Sequence, residues 1–262
     1  MAVPGSTAQP FCRNGVTDMR CALAARGFIN EDIRYNKRVI IDTMAEYADR
    51  ADIVLFGEAF LQGFYAATFD PAHDAAIALT LDDPVIREIA SAAKQHGIAA
   101  SFGMIEKDGD VFFSSQLTIG ADGQIIDVYR RVSEGWKEPF AGVQYREGDG
   151  FHAFTFMGKR IVSALCGDLW YDENVERVRQ LHPDLVFWPV YTDFAAHVWN
   201  TSEKLEYAGQ AAKTGCRVLY VNSVCLDRES DEIARGGAAL FDSGVIVSEV
   251  PSGGEAVLVV EV

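Results

Sequence analysis

Ile53-Val-Leu-Phe56, followed at once by Gly57-Glu58, is an apolar run without polar alternation. A strand with one wet face alternates apolar and polar residues, so a continuous run reads as a strand buried on both faces. Leu185-Val-Phe-Trp188 and Arg217-Val-Leu-Tyr-Val221 have the same character. Helical periods lie between such strands. One spans roughly 31–50, with Asn30 as the expected N-cap and Ile33, Ile40, Met44 and Tyr47 on one face. Another opens at Asp83-Pro84 and stops at Gly97, and two more are expected at 173–181 and 202–214. Further strands are expected at 20–25, 98–106, 111–119, 124–130, 151–156, 160–165, 237–241, 245–249 and 256–262, with Asp108-Gly109 and Asp122-Gly123 as hairpin turns. The interleaving is that of an α/β domain. Helices must cover at least one face of each sheet, and two stacked sheets with helices outside suit the count better than one doubly wound sheet. The pattern alone leaves both open.

At 262 residues, 49% hydrophobic and 23% charged, the chain is long enough to bury a sizeable core. The expected organisation is an N-terminal extension over 1–18 and one domain over 19–262. The extension lacks the basic-then-apolar order of a signal peptide, and no apolar run is long enough to span a bilayer. A net charge of −15 disfavours nucleic acid and anionic membranes as partners. The five cysteines are scattered, without metal-ligand spacing, which points to a reducing compartment, the cytoplasm by default, and to no metal site.

Three segments carry candidate chemistry. In Arg160-Ile-Val-Ser-Ala-Leu-Cys166-Gly-Asp-Leu-Trp170 an apolar strand runs into a cysteine, then a glycine, an acid and a helix. A thiol facing a helix start sits where thiolate is favoured, and Gly167 lets a backbone N–H approach a reacting oxygen. The blander reading makes Cys166 one more small buried residue. Glu58 leaves a buried strand between apolar neighbours, where partial desolvation makes a usable base; a solvated loop acid is the bland alternative. Tyr129-Arg130-Arg131 follows a strand and places cations where an oxyanion would form, or is simply a basic turn.

Together these segments resemble the nitrilase superfamily of carbon–nitrogen hydrolases. That family carries a glutamate in an F-P-E-like motif, a lysine in Y-R-K and a cysteine in C-x-D-L. The matches here are Phe56-Gly57-Glu58, Tyr129-Arg130-Arg131 and Cys166-Gly167-Asp168-Leu169. Asn36, Gly103 with Glu106, Trp199, the run 208–222 and the hairpin 236–244 extend the resemblance over nearly the whole chain from about Met19.

The resemblance implies an αββα sandwich and hydrolysis of a small-molecule amide, carbamoyl or nitrile group, with Cys166 as nucleophile, Glu58 as general base and no cofactor. It also implies self-association into a homodimer or larger assembly.

Two positions depart from the family pattern. Gly57 replaces a proline, a change expected only to alter loop stiffness. Arg131 replaces the lysine, and arginine keeps its proton and binds as a planar fork. Lys137, in Gly135-Trp-Lys-Glu138, is the preferred candidate for the missing ammonium, with Glu134 or Glu138 as auxiliary acid. Gly167, Trp170, Tyr191 and Trp199 are the expected substrate-binding residues. The rival reading is a degenerate relative that binds a small ligand or partner without turnover; Arg131 favours it, and intact Glu58 and Cys166 favour the enzyme.

Overall fold

The structure is a computed structural model and describes residues 18–227 and 232–262, so the expected N-terminal extension lies, apart from Asp18, outside the described residues. The strands of the first half are β1 (Arg20–Ala25), β2 (Gly27–Phe28), β3 (Ile53–Leu55), β4 (Ala99–Asp108), β5 (Val111–Ile119) and β6 (Ile125–Arg130). Those of the second half are β7 (Ala153–Phe156), β8 (Lys159–Ser163), β9 (Leu185–Val190), β10 (Arg217–Asn222), β11 (Val224–Cys225), β12 (Ala238–Asp242), β13 (Val245–Val250) and β14 (Ala256–Glu261). The helices are α1 (Ile33–Tyr47), α2 (Pro71–Ile77), α3 (Pro84–His96), α4 (Asp172–Gln180), α5 (Ala196–Val198) and α6 (Lys204–Ala212), with a π turn at Trp199–Glu203 joining the last two.

The strands form two six-stranded sheets, ordered β14-β1-β3-β4-β5-β6 and β13-β12-β10-β9-β8-β7, with β2 and β11 as a separate pair. Successive side chains on a strand point to opposite faces, and this period divides each apolar run between two cores. Cys21, Leu23, Ile53 and Leu55 of the first sheet meet Leu185, Phe187, Leu219 and Val221 of the second in a central core. Ala22, Val54 and Phe102 turn outward and are covered by Ile40 and Met44 of α1 and Ile86 and Ile89 of α3. Val186, Trp188, Val218 and Tyr220 turn the other way, under Val175 and Val178 of α4 and Tyr207, Ala208 and Ala211 of α6. The architecture is thus an αββα sandwich, and it explains the continuous apolar runs, since both faces of each central strand are buried.

Local signals behave as their chemistry dictates. α3 starts where Asp83 Oδ1 accepts the Val85 N–H at 2.8 Å and ends at Gly97, whose φ is 65°. α1 is capped by Asp32 rather than Asn30, because the Asn30 side chain is engaged by the Tyr65 N–H and by Asp227. Among the described residues no helix is long and apolar enough to cross a membrane.

β3 and β8 run parallel to their neighbours β1, β4 and β9, and β9 runs parallel to β10. β3 runs out into Gly57-Glu58, β8 into Cys166, β9 into Tyr191 and β10 into Ser223. The two sheets meet at these ends. The Glu58 N–H donates to Val190 O at 3.3 Å, and a Cβ on Gly57 would lie 2.4 Å from Ser223 Oγ and 2.9 Å from Val190 O. Gly57 therefore does more than alter loop stiffness; it is the space through which one sheet touches the other.

Candidate active site

Glu58 sits in a turn with little freedom. Ala59, just after it, has φ 50°, and β4 presses on the turn from below. A Cβ on Gly103 would fall 2.2 Å from Ala59 N and 2.6 Å from Glu58 C, so only glycine allows this approach. The Gly103 N–H donates to Gly57 O, and Leu61 donates to Gly103 O at 3.0 Å. Asn36 of α1 donates to Ile29 O and Leu61 O, and Gln62 pairs with both backbone groups of Ile105. The turn is held from both sides, and the Glu58 carboxylate is fully buried.

A buried carboxylate needs partners. Arg131 Nη1 donates to Glu58 Oε1 at 2.9 Å, and Ser114 Oγ donates to the same oxygen at 2.9 Å. Glu58 Oε2 is buried and has no hydrogen-bond partner among the described residues. Arg131 is only 4% exposed. Its Nε donates to Ser133 Oγ and its Nη2 to Glu134 O, so the guanidinium organises the loop after β6 while pairing with Glu58. Burial opposes its charge, but Glu58 first and Asp168 after it hold the guanidinium above its ordinary value.

Cys166 opens a single 3-10 turn, Cys166–Trp170, with φ 43°, a left-handed conformation that a non-glycine residue adopts only when its surroundings impose it. Trp188 Nε1 donates to Cys166 O at 2.8 Å, and the thiol reaches Tyr191 O at 3.5 Å. Asp168 locks the turn: it accepts from Leu165 N, Ser133 N, Val132 N and Tyr129 Oη, joining the end of β8 to the end of β6. Burial pushes the Asp168 carboxyl above its ordinary value, against these donors and Arg131. The thiol itself is pushed up to about 12, by burial first and by the charge of Glu58 second, with Arg131 pulling the other way. The expectation that a helix start would favour thiolate is therefore corrected: one short turn carries little dipole, and burial beside a carboxylate outweighs it.

The structure brings Glu58, Arg131, Cys166 and Gly167 together. A Cβ on Gly167 would lie 2.6 Å from Arg131 Nη2, so this glycine makes room for the guanidinium. Lys137 is placed elsewhere. Its Nζ is held by Tyr145 O at 3.0 Å and by Glu147, inside the loop and not on Glu58. Glu138 and Glu134 are exposed, and only the carbonyl of Glu134 touches the guanidinium. Tyr191 meets the thiol through its carbonyl, with its ring stacked on Phe64 at 4.1 Å. Trp170 is 42% exposed and packs edge-on against Tyr207. Trp199 is buried in the outer core of the second sheet, where it stacks on Tyr220 at 4.6 Å. Ser114, Ser133 and Asp168 also hold the site together. Only Asp168 carried a sequence signal, its place in the Cys166-x-Asp-Leu motif. Among the described residues no group of three His, Cys, Asp or Glu side chains is arranged to hold a metal ion.

Known proteins share this arrangement of elements. An amidase from Nesterenkonia sp. AN1, solved with acrylamide added to its active-site cysteine, superposes with a TM-score of 0.76 over 93% of both chains at 18% identity, a likeness of fold. An (R)-stereoselective amidase from Pseudomonas sp is 24% identical over 83% of this chain and 76% of its own length. A glutamine-dependent NAD(+) synthetase from Aquifex aeolicus is 24% identical over 92% of this chain, which spans 42% of that longer protein. The carbon–nitrogen hydrolase family matches residues 23–262, and this chain belongs to it.

Proposed function

We propose that this chain hydrolyses a small amide or carbamoyl compound through an S-acyl intermediate on Cys166 (a thioester from an amide, a thiocarbamate from a carbamoyl compound), with Glu58 as general base and Arg131 as the stabilising cation. The observation that carries the reading is a buried carboxylate whose Oε1 is held by Arg131 and Ser114 and whose Oε2 has no hydrogen-bond partner among the described residues, beside the Cys166 thiol. Glu58 takes the Sγ proton as sulfur attacks the carbonyl carbon. The oxyanion forms beside the guanidinium and the backbone at Gly167. Glu58 returns the proton to the leaving nitrogen as the C–N bond breaks, and ammonia or an amine departs. Water, deprotonated by Glu58, then attacks the S-acyl intermediate; the acid leaves and the thiol is restored. Arg131, rather than Lys137, takes the cation's place here.

Arginine keeps its proton. The reading therefore favours carbonyl substrates, whose oxyanion needs only charge stabilisation, over nitriles, whose nitrogen must also gain a proton. The test is ammonia release from a panel of small primary amides, carbamoyl compounds and nitriles, by wild type and Cys166→Ala. The expected result is release from carbonyl substrates at least about a hundredfold above Cys166→Ala, with an acyl adduct on Cys166 by intact mass. Binding without ammonia release would instead support the degenerate, ligand-binding reading that the arginine in place of lysine favours.

A further inference from the structure

β5 and β6 carry one arrangement twice. Ser114 and Ser115 are successive on β5, so the pleat sends their side chains to opposite faces of the sheet. On one face Ser115 Oγ donates to Glu106 Oε2 at 2.6 Å, and Arg130 Nε donates to the same oxygen at 2.9 Å. On the other, Ser114 Oγ and Arg131 Nη1 both donate to Glu58 Oε1 at 2.9 Å. Glu106 is 1% exposed and Glu58 0%, so each carboxylate depends on its serine and arginine to offset desolvation.

The triplets differ in what they leave over. Around Glu106 both oxygens are engaged, because Arg130 Nη2 also donates to Oε1. Around Glu58 both donors converge on Oε1, and Oε2 is buried without a hydrogen-bond partner among the described residues. Ser114 also accepts the Arg131 N–H at its carbonyl, at 2.9 Å. A single residue thus fixes the backbone of the cation and the carboxylate of the base.

We propose that Ser114 is a positioning residue which, with Arg131, commits Oε1 to holding the carboxylate and presents Oε2 as the oxygen that exchanges protons with Cys166. This rests on the reaction assigned above and divides its proton transfers between the two oxygens. The last torsion of a glutamate is broad and nearly two-fold, so without a second donor the carboxylate swings and exchanges its oxygens. With Ser114 in place, Oε2 takes the Sγ proton as the S–C bond forms and gives it to the leaving nitrogen as the C–N bond breaks. Oε1 keeps both hydrogen bonds throughout, so the base does not reorient between the two transfers.

The test is the rate of Cys166 alkylation by iodoacetamide, read by peptide mass spectrometry on the full chain as wild type, Ser114→Ala, Glu58→Gln and the double variant. Ser114→Ala is expected to slow labelling about tenfold when Glu58 is present, a fraction of a general base's full effect. In the Glu58→Gln background it is expected to slow labelling less than about twofold, because the hydroxyl has no base left to position. Ser114→Thr keeps the hydroxyl on a residue suited to a strand and is expected to restore the rate. Ser115→Ala, in the triplet away from the thiol, is expected to leave it unchanged. Equal slowing by Ser114→Ala in both backgrounds, or equal slowing by Ser115→Ala, would overturn the proposal, since a general loosening of β5 produces either. A Glu58→Gln variant that labels no more slowly than wild type is a different failure, because it removes the base itself.

Discussion

At residue scale, the arginine at position 131 is the chain's most consequential choice. An ammonium offers one compact set of donors, whereas the guanidinium fork reaches Glu58, Ser133 Oγ and Glu134 O at once. Arg131→Ala leaves the buried Glu58 charge unpaired, so the expected loss is about 3–5 kcal/mol of stability, measured by denaturant unfolding, with turnover abolished. Arg131→Lys keeps the charge but forfeits the loop contacts. It is expected to destabilise by about 1–3 kcal/mol and to make the segment 134–148 cleave faster under limited proteolysis. Lys137→Ala is expected to retain turnover within about twofold, since its partners are Tyr145 O and Glu147 and its loss removes only a partly exposed ion pair. A hundredfold drop in kcat for that variant would return Lys137 to the chemistry.

At the scale of elements, the turn after β3 depends on a glycine one strand away. Gly103→Ala drives a methyl into the backbone of Glu58 and Ala59, which cannot move without breaking the Asn36 and Gln62 contacts. The expected outcome is a stability loss of about 1–3 kcal/mol with a larger loss of kcat than of substrate affinity, measured by unfolding and steady-state kinetics. Features of this kind mark the boundary of what a single sequence tells. β1, β3 and α3 were legible because strand runs, Asp83 and Gly97 act on their own neighbours. Glu58 and Cys166 were legible as strand-end polar residues in a recognisable motif. Ser114 was not, because its partner is 56 residues away and nothing in Phe113-Ser-Ser-Gln116 says which serine faces the carboxylate. Closeness in sequence to Arg131 likewise says nothing about which way the loop carries Lys137, whose Nζ is held by Tyr145 O and Glu147.

At the scale of the whole molecule, the central core between the sheets carries the fold and the outer cores attach the helices. Leu219→Ala, fully buried between the sheets, is expected to cost about 2–5 kcal/mol by denaturant unfolding. Rising pH through neutrality weakens two peripheral ion pairs. His73 is raised above its ordinary value mainly by its hydrogen bond to Asp74, and His152 mainly by its bond to Asp127. A histidine raised on folding contributes stability that is fully present below its unfolded value, about 6.5, and is lost as pH rises through the folded one. Both side chains are well exposed, at 34% and 50%, so screening keeps the effect small. The slope of Tm against pH between 6 and 8 is expected to flatten in a His73→Asn, His152→Asn double variant; an unchanged slope would show that neither pair is linked to folding.

The most direct single measurement is the rate of Cys166 alkylation at neutral pH in wild type and in Glu58→Gln. The charge of Glu58 raises the thiol, which stands at about 12, so an acid that acted only as a charge would, once neutralised, leave Cys166 more reactive. A general base has the opposite sign. Slower labelling of Cys166 in Glu58→Gln is the expected result and supports a thiol activated by its carboxylate; faster or unchanged labelling would contradict it.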